Sequence, residues 1–592
     1  MVDRAATLRR VLGHEWTIAA LAAVFLSLLL TRGALADPAH TLPQDIWDPS
    51  LVSYLIAWDG HALLHNPAGI WHLNAFYPAS YGLAYTDSML GYAPFAIIGT
   101  GPEAAVLRYN LLYILALALV LFGGYALARQ LGLGRTGSAL VGVALAVAPW
   151  RLAQAGHLQI LSTGGMFLAL AMLARGHAVR WRRPVSAQGE RSEPPRERGS
   201  NTTLPVSEQP VHRPGWVIAG WLVATWQLTI GFGVGLPFIY VLLACMIGGI
   251  AVWAYRRQPM PGWRLLAADG VGGLVFATAA VLLAQPYLKV LELYPYTRRD
   301  ASWVALYSPP VSGLFTAPAE SLLWGEAHAT SRAEMSIPGE MALLPGFVLY
   351  AVAAAGLVFS VWPLLVRVAL AFGAVAFMIF SLGTEGPADG HAGYLMLLNL
   401  PGFEGIRTPG RLMLWTTLLL ALLAGGAVCA LGALVREIAG FRGLARPTPM
   451  ARAAVVLPVL LVLLEGLGTT AHVRVPQAPP TLSTVAAPYL VLPTQQLWDM
   501  HVMLWSTDRF AKTVNGGSGV VPTEQDQIRR AAATFPDANS VGYLRSVGVR
   551  TVVVLRDRAY GTPLQNAATT PIDGLGITRE VHPDAVVFQL TP

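Results

Sequence analysis

The chain has 592 residues, of which 54% are hydrophobic and only 12% charged, about half the charge of an average globular chain. That balance excludes a cytosolic enzyme, and a mean hydropathy of +0.51 spread over long uncharged runs requires a solvent other than water, so an integral membrane protein is expected. The net charge of +7 does not point to nucleic acid, because 38 of the 40 basic residues are Arg in short loops between apolar runs, where membrane topology accounts for them.

In chain order, Arg4, Arg9 and Arg10 precede the first apolar stretch. Ala34-Leu35-Ala36 has the look of a cleavage site, but an uncleaved first transmembrane helix fits the topology better. Runs long enough to span fall near 15–33, 106–128, 136–155, 157–175, 215–234, 236–255, 265–286, 341–364, 366–384, 411–435 and 451–468, about 11 transmembrane helices. The stretch 89–101 is too short to span and is expected to be re-entrant or interfacial. With the N-terminus inside, 21 basic residues fall on the inner side and nine on the outer, and the first outer segment, 37–104, has none. This is a positive-inside pattern. Cys245 and Cys429 lie within apolar runs and imply no disulfide framework.

Residues 1–468 therefore read as a transmembrane domain. Its 176–214 loop, rich in Pro, Ser, Glu and Arg, is expected to be disordered on the cytoplasmic side. Residues 469–592 return to globular apolar density and read as an extracytoplasmic α/β domain, with a helix ending near Arg550, a buried strand at 551–555 and another at 586–588.

The outer segment 37–104 holds the most chemistry. It is too long for a simple connection, rich in Trp and Tyr, and its helical periodicity from Ser50 to Leu64 predicts amphipathic helices on the outer interface. Its charges are Asp37, Asp45, Asp48, Asp59 and Asp87, with Glu103 beyond. Asp45 and Asp48, three apart, share a face if they stand on one helical turn. One would then act as general base on an acceptor hydroxyl while the other orients it or binds a cation such as Mg²⁺ or Mn²⁺; alternatively Asp48-Pro49 caps the following helix. Asp87 reads equally as a cap or a site carboxylate. His157 and Gln159 suit phosphate or sugar hydroxyls, or a satisfied interface. Arg407 and Arg411, in Phe403-Glu404-Gly-Ile-Arg-Thr-Pro-Gly-Arg, run against the positive-inside trend and suit a phosphate or a lipid headgroup; Glu404 belongs to the same candidate substrate-binding group. No candidate span carries a charge near its middle, which speaks against ion-coupled transport, and P-loop, G-x-S-x-G, H-E-x-x-H and Cys/His metal motifs are all lacking.

The acidic first outer loop, the eleven spans and the C-terminal outer domain resemble the GT-C superfamily of polytopic membrane glycosyltransferases. Asn74-Ala-Phe-Tyr-Pro78, Tyr85-Thr-Asp87-Ser-Met-Leu-Gly91, Tyr109-Asn110, Ala148-Pro-Trp-Arg151, Arg407-Thr-Pro-Gly-Arg411 and Asn515-Gly-Gly-Ser-Gly519 look like an uncharacterised bacterial, YfhO-like branch of it. The resemblance implies an inverting hexosyl- or pentosyltransferase of the bacterial cytoplasmic (inner) membrane. It would move sugar from a polyprenyl-phosphate donor to a lipid, glycan or protein acceptor on the outer face. Asp48 or Asp45 would match the base, and Arg407, Arg411 and His157 the phosphate-binding groups. The alternatives are a flippase or carrier for lipid-linked glycans and a non-catalytic glycan-binding scaffold.

Overall fold

The computed structural model describes residues 13–181, 211–257 and 260–590. Arg4, Arg9 and Arg10 and the centre of the 176–214 loop lie outside the described residues. Each of the eleven apolar runs is helical. Among the described residues, six helices are long and apolar enough to cross a membrane: Pro102–Leu131, Leu158–Gly176, Phe232–Tyr255, Trp263–Leu293, Leu364–Ser381 and Pro409–Phe441. Glu15–Leu30, Arg135–Val147, Pro214–Ile230, Phe347–Val358 and Pro449–Glu465 are shorter. Val358, Leu365 and Phe372 stand exposed on such helices, an apolar outer surface that only lipid covers without cost.

Close packing between these helices depends on small residues. A Cβ built on Gly164 would fall 2.3 Å from the Leu119 carbonyl carbon, and one on Gly123 would fall 2.6 Å from the Gly164 carbonyl oxygen. Pro102–Leu131 and Gly164–Gly176 thus meet backbone to backbone.

The acidic segment 37–104 departs from expectation. Its helix, Asp48–His65, is buried on nearly every side along Pro49–Ala57 and packs against Gln496–Trp505 of the C-terminal domain and the 3₁₀ turn Leu90–Ala96. The periodicity is real, but its polar positions are Ser50 and Ser53, whose hydroxyls donate to the Ile46 and Pro49 carbonyls; satisfied in this way, they tolerate burial.

Beyond residue 469 the chain forms a four-stranded sheet in the order Tyr489–Leu492, Thr551–Leu555, Ala585–Gln589, Thr578–Val581. The first pair is parallel and the others antiparallel. The strands expected near 551 and 586 are its two central ones. A separate ladder pairs Thr41–Pro43 with His472–Arg474, so the start of the acidic segment is tied to the linker that follows the last apolar helix.

The Asn515-Gly-Gly-Ser-Gly519 loop is a docking device. Asn515 exchanges two hydrogen bonds with the Val491 backbone, 2.7 and 2.9 Å, and donates to Asp499 at 2.8 Å. Ser518 donates to the Tyr85 carbonyl, and the Phe76 N–H donates to the Asn515 carbonyl. A Cβ on Gly516 would strike the Phe76 ring at 2.2 Å, so only glycine allows this approach.

Candidate active site

The site is assembled where the acidic segment meets the turn between Arg135–Val147 and Gly164–Gly176. Gln44 takes a left-handed conformation, φ 72°, and its amide clamps that turn. Gln44 Oε1 accepts from the Gly156 N–H at 2.7 Å, and Nε2 donates to the Ala153 carbonyl at 3.0 Å. The next residue, Asp45, lies before the helix and accepts from the Trp47 N–H at 2.8 Å. The two carboxylates therefore do not share a helical face, contrary to their spacing, because the chain turns at Asp45 before helix begins.

Asp48 opens the helix but makes no capping hydrogen bond. Its carboxylate turns instead to His157, with Nε2 3.1 Å from Oδ2. The Asp48 side chain is 47% exposed yet has protein on its other sides. Burial there would raise its pKa, but the His157 hydrogen bond and the charges of His157, Arg411 and Arg407 outweigh burial and hold it below the ordinary carboxylate range. Burial is the stronger influence on Asp45, with repulsion from Asp48 adding to it, and pushes Asp45 upward. The two carboxylates are thus driven apart, leaving Asp48 ionised at neutral pH.

Asp87 is both cap and site residue, though not of its own helix. Its carboxylate accepts from the Gly233 N–H at 2.8 Å, at the start of Phe232–Tyr255, and lies within electrostatic reach of Arg411 and His157. Gly231 makes room for it: a Cβ there would fall 3.2 Å from the Asp87 carboxyl and 3.3 Å from Gln159 Cβ. Gln159 is buried beside it, its Oε1 without a protein partner.

Arg411 engages Glu340 fork to fork, Nη2 to Oε1 at 2.5 Å and Nε to Oε2 at 3.3 Å. Glu340 also receives Gln154 Nε2 at 3.4 Å. Sequence reading missed Glu340 and Gln154. Glu340 stands alone at the edge of an apolar run, and nothing local announces a partner 71 residues away. Arg407 lies over the Tyr307 ring at 4.8 Å. Glu404 does not join the cluster: it makes no side-chain hydrogen bond or ion pair among the described residues, and only its backbone carbonyl is used, by the Arg299 N–H at 2.8 Å. Thus Asp45, Asp48, Asp87, His157, Gln159, Arg407 and Arg411 come together with Glu340 and Gln154, and Glu404 stays outside.

Two further acidic residues of the segment serve elsewhere. Asp37 and Glu103 pair with His40 at 2.6 and 3.5 Å. Among the described residues, no group of three or more His, Cys, Asp or Glu side chains is arranged to hold a metal ion. Asp48 is already engaged by imidazole and faced by guanidinium charge, so the donor set does not suit Mg²⁺ or Mn²⁺.

Fold and site together define a multi-pass membrane protein with a cluster of carboxylate, imidazole and guanidinium groups at one end of its helices. No protein-family model matches the chain, and no curated protein matches it. Among solved structures it is similar to an archaeal oligosaccharyltransferase, AglB from Archaeoglobus fulgidus, in complex with an inhibitory peptide and a dolichol-phosphate; identity is 11%, coverage 92% of this chain and 70% of that one, and TM-score 0.43. It is also similar to ArnT from Cupriavidus metallidurans bound to undecaprenyl phosphate, with 13% identity, 97% coverage of both chains and a TM-score of 0.46. A third similarity is to the arabinofuranosyltransferase AftD from Mycobacteria, with 15% identity, 97% coverage of this chain but 41% of that one, and a TM-score of 0.48.

Proposed function

We propose that the protein is an inverting membrane glycosyltransferase that moves a sugar from a polyprenyl-phosphate donor to a hydroxyl of a lipid, glycan or protein acceptor on the outer face of a bacterial cytoplasmic membrane. In this reading all eleven apolar helices cross the bilayer, with the N-terminus inside and the C-terminal domain outside. The observation that carries it is Asp48: an ionised, water-accessible carboxylate fixed by His157 and within reach of two guanidinium groups.

The Asp48 carboxylate accepts the proton of the acceptor hydroxyl as that oxygen attacks the anomeric carbon. The bond from that carbon to the phosphate oxygen breaks, and the electron pair leaves with the phosphate toward the guanidinium side of the cluster. His157 holds Asp48 in the attacking position and keeps it deprotonated.

The test is transfer by the full chain in nanodiscs from a panel of radiolabelled polyprenyl-phosphate sugars. Asp48→Asn is expected to lower turnover by about 10²–10⁴-fold, the usual worth of a general base, with its thermal midpoint intact, while Asp45→Asn and added EDTA leave turnover near wild type. If no donor is consumed and labelled lipid instead crosses the bilayer, the carrier reading replaces this one.

A further inference from the structure

Arg411 and Arg407 are only four residues apart, yet they are in opposite electrostatic states. Arg411 is neutralised by Glu340. Arg407 has no carboxylate partner among the described residues, and a second unpaired guanidinium, that of Arg299, stands beside it. Arg299 lies over the Trp303 ring at 4.5 Å, as Arg407 lies over Tyr307 at 4.8 Å. Trp303 and Tyr307 are four apart at the helix Ala301–Leu306 and its C-cap, hence on one face. The two cations are thus each laid on a ring of one aromatic face.

The neighbouring acids do not compensate them. Asp300 is committed to the Ser302 and Trp303 N–H groups at 3.0 and 3.1 Å, and Glu404 makes no ion pair. The Arg299 guanidinium has one protein hydrogen bond, Nη2 to the Gly519 carbonyl at 3.3 Å. Burial, and then repulsion by Arg407, push Arg299 below its ordinary value. Bringing two like charges together without a counter-ion is unfavourable, and an arriving dianion reverses the sign. Asp48 and Glu340 both feel the Arg407 charge, so an anion here lies beside the proposed base.

We propose that Arg299 and Arg407, floored by Trp303 and Tyr307, form a clamp for a phosphate monoester, and that Arg411 is a positioning residue held by Glu340. Resting on the transferase reading, this places on Arg299 and Arg407 the donor's phosphate, a diester until the sugar leaves and a monoester dianion once it has.

The experiment measures binding of undecaprenyl phosphate, undecaprenol and inorganic phosphate to the full chain in nanodiscs. Arg299→Gln and Arg407→Gln are each expected to weaken undecaprenyl phosphate binding by about tenfold or more, the worth of a charge-assisted hydrogen bond, and to leave undecaprenol unaffected. Arg299→Lys should fall between, keeping charge but losing the fork. The double variant Arg411→Gln with Glu340→Gln should keep most of the phosphate affinity. If either arginine variant does not fold, Trp303→Leu and Tyr307→Leu remove the floor and should show the same selective loss. Displacement of the lipid by millimolar inorganic phosphate would assign the clamp to phosphate in any form; a selective loss without displacement would assign it to the lipid-borne group. The clamp is overturned if the variants bind undecaprenyl phosphate like wild type, or lose undecaprenol to the same degree. Arginine-dependent binding in a protein that turns over no donor would keep the clamp and remove the transferase.

Discussion

At the scale of single residues, the acidic charges of the outer segment sort by surroundings. His157 is held against Asp48 from outside the pair, by the Gln44 clamp on Gly156 and by the Tyr109 hydroxyl donating to the Gly156 carbonyl at 3.2 Å. Since His157 lowers the Asp48 pKa, the ionised state is present above the ordinary carboxylate value and is lost as pH falls through the lowered one. His157→Gln, or Gln44→Ala acting through the turn, is therefore expected to move the acid limb of the kcat profile to higher pH. An unmoved limb in both variants would show that the contact plays no part. Asp59 behaves oppositely. It is fully buried, neither oxygen has a protein partner among the described residues, and burial pushes its carboxyl well above the ordinary range, which favours its neutral form. Asp59→Leu is expected to unfold at a higher temperature than wild type and to keep its activity, with the gap widening as pH rises above the ordinary carboxylate value; a drop in the midpoint would reveal a partner.

At the scale of elements, the helix Phe347–Val358 depends on a carboxylate from a distant one. Glu465, buried at the end of Pro449–Glu465, accepts from the Phe347 and Val348 N–H groups at 2.6 and 2.9 Å and from Trp324 Nε1 at 3.0 Å. It satisfies orphan donors of a helix start inside the protein. Glu465→Ala should lower stability by about 1–3 kcal/mol, the cost of leaving such donors unmet, read as a fall in the midpoint of detergent-solubilised protein; an unchanged midpoint would mean that water replaces it. The helices themselves were legible because each apolar run is continuous and ends at Gly, Pro or Arg. The state of Asp48–His65 was not, because period alone does not say whether the polar side faces water or closes on its own backbone, as Ser50 and Ser53 do.

At the scale of the molecule, the eleven crossings of the proposed topology would put the two ends on opposite sides. In a background lacking Cys245 and Cys429, a cysteine at exposed Tyr560 should react with an impermeant maleimide in intact cells, whereas one at Arg256, between Phe232–Tyr255 and Trp263–Leu293, should not. The reverse labelling would invert the topology and remove the outer-face reading. Composition and charge pattern alone pointed to a membrane, to the segments apolar enough to enter it, and to a globular region with strands after them. Those properties follow from transfer of single segments between water and lipid, which needs no partner. Only the tertiary structure decided that Asp48 meets His157 rather than capping its helix, that Arg411 is spent on Glu340 while Arg407 and Arg299 have no carboxylate partner among the described residues, and that the glycine-rich loop at 515–519 is a docking surface. Each of those outcomes is a pairing between residues far apart in the chain, and a pairing energy exists only once folding has brought both partners into the same dry space.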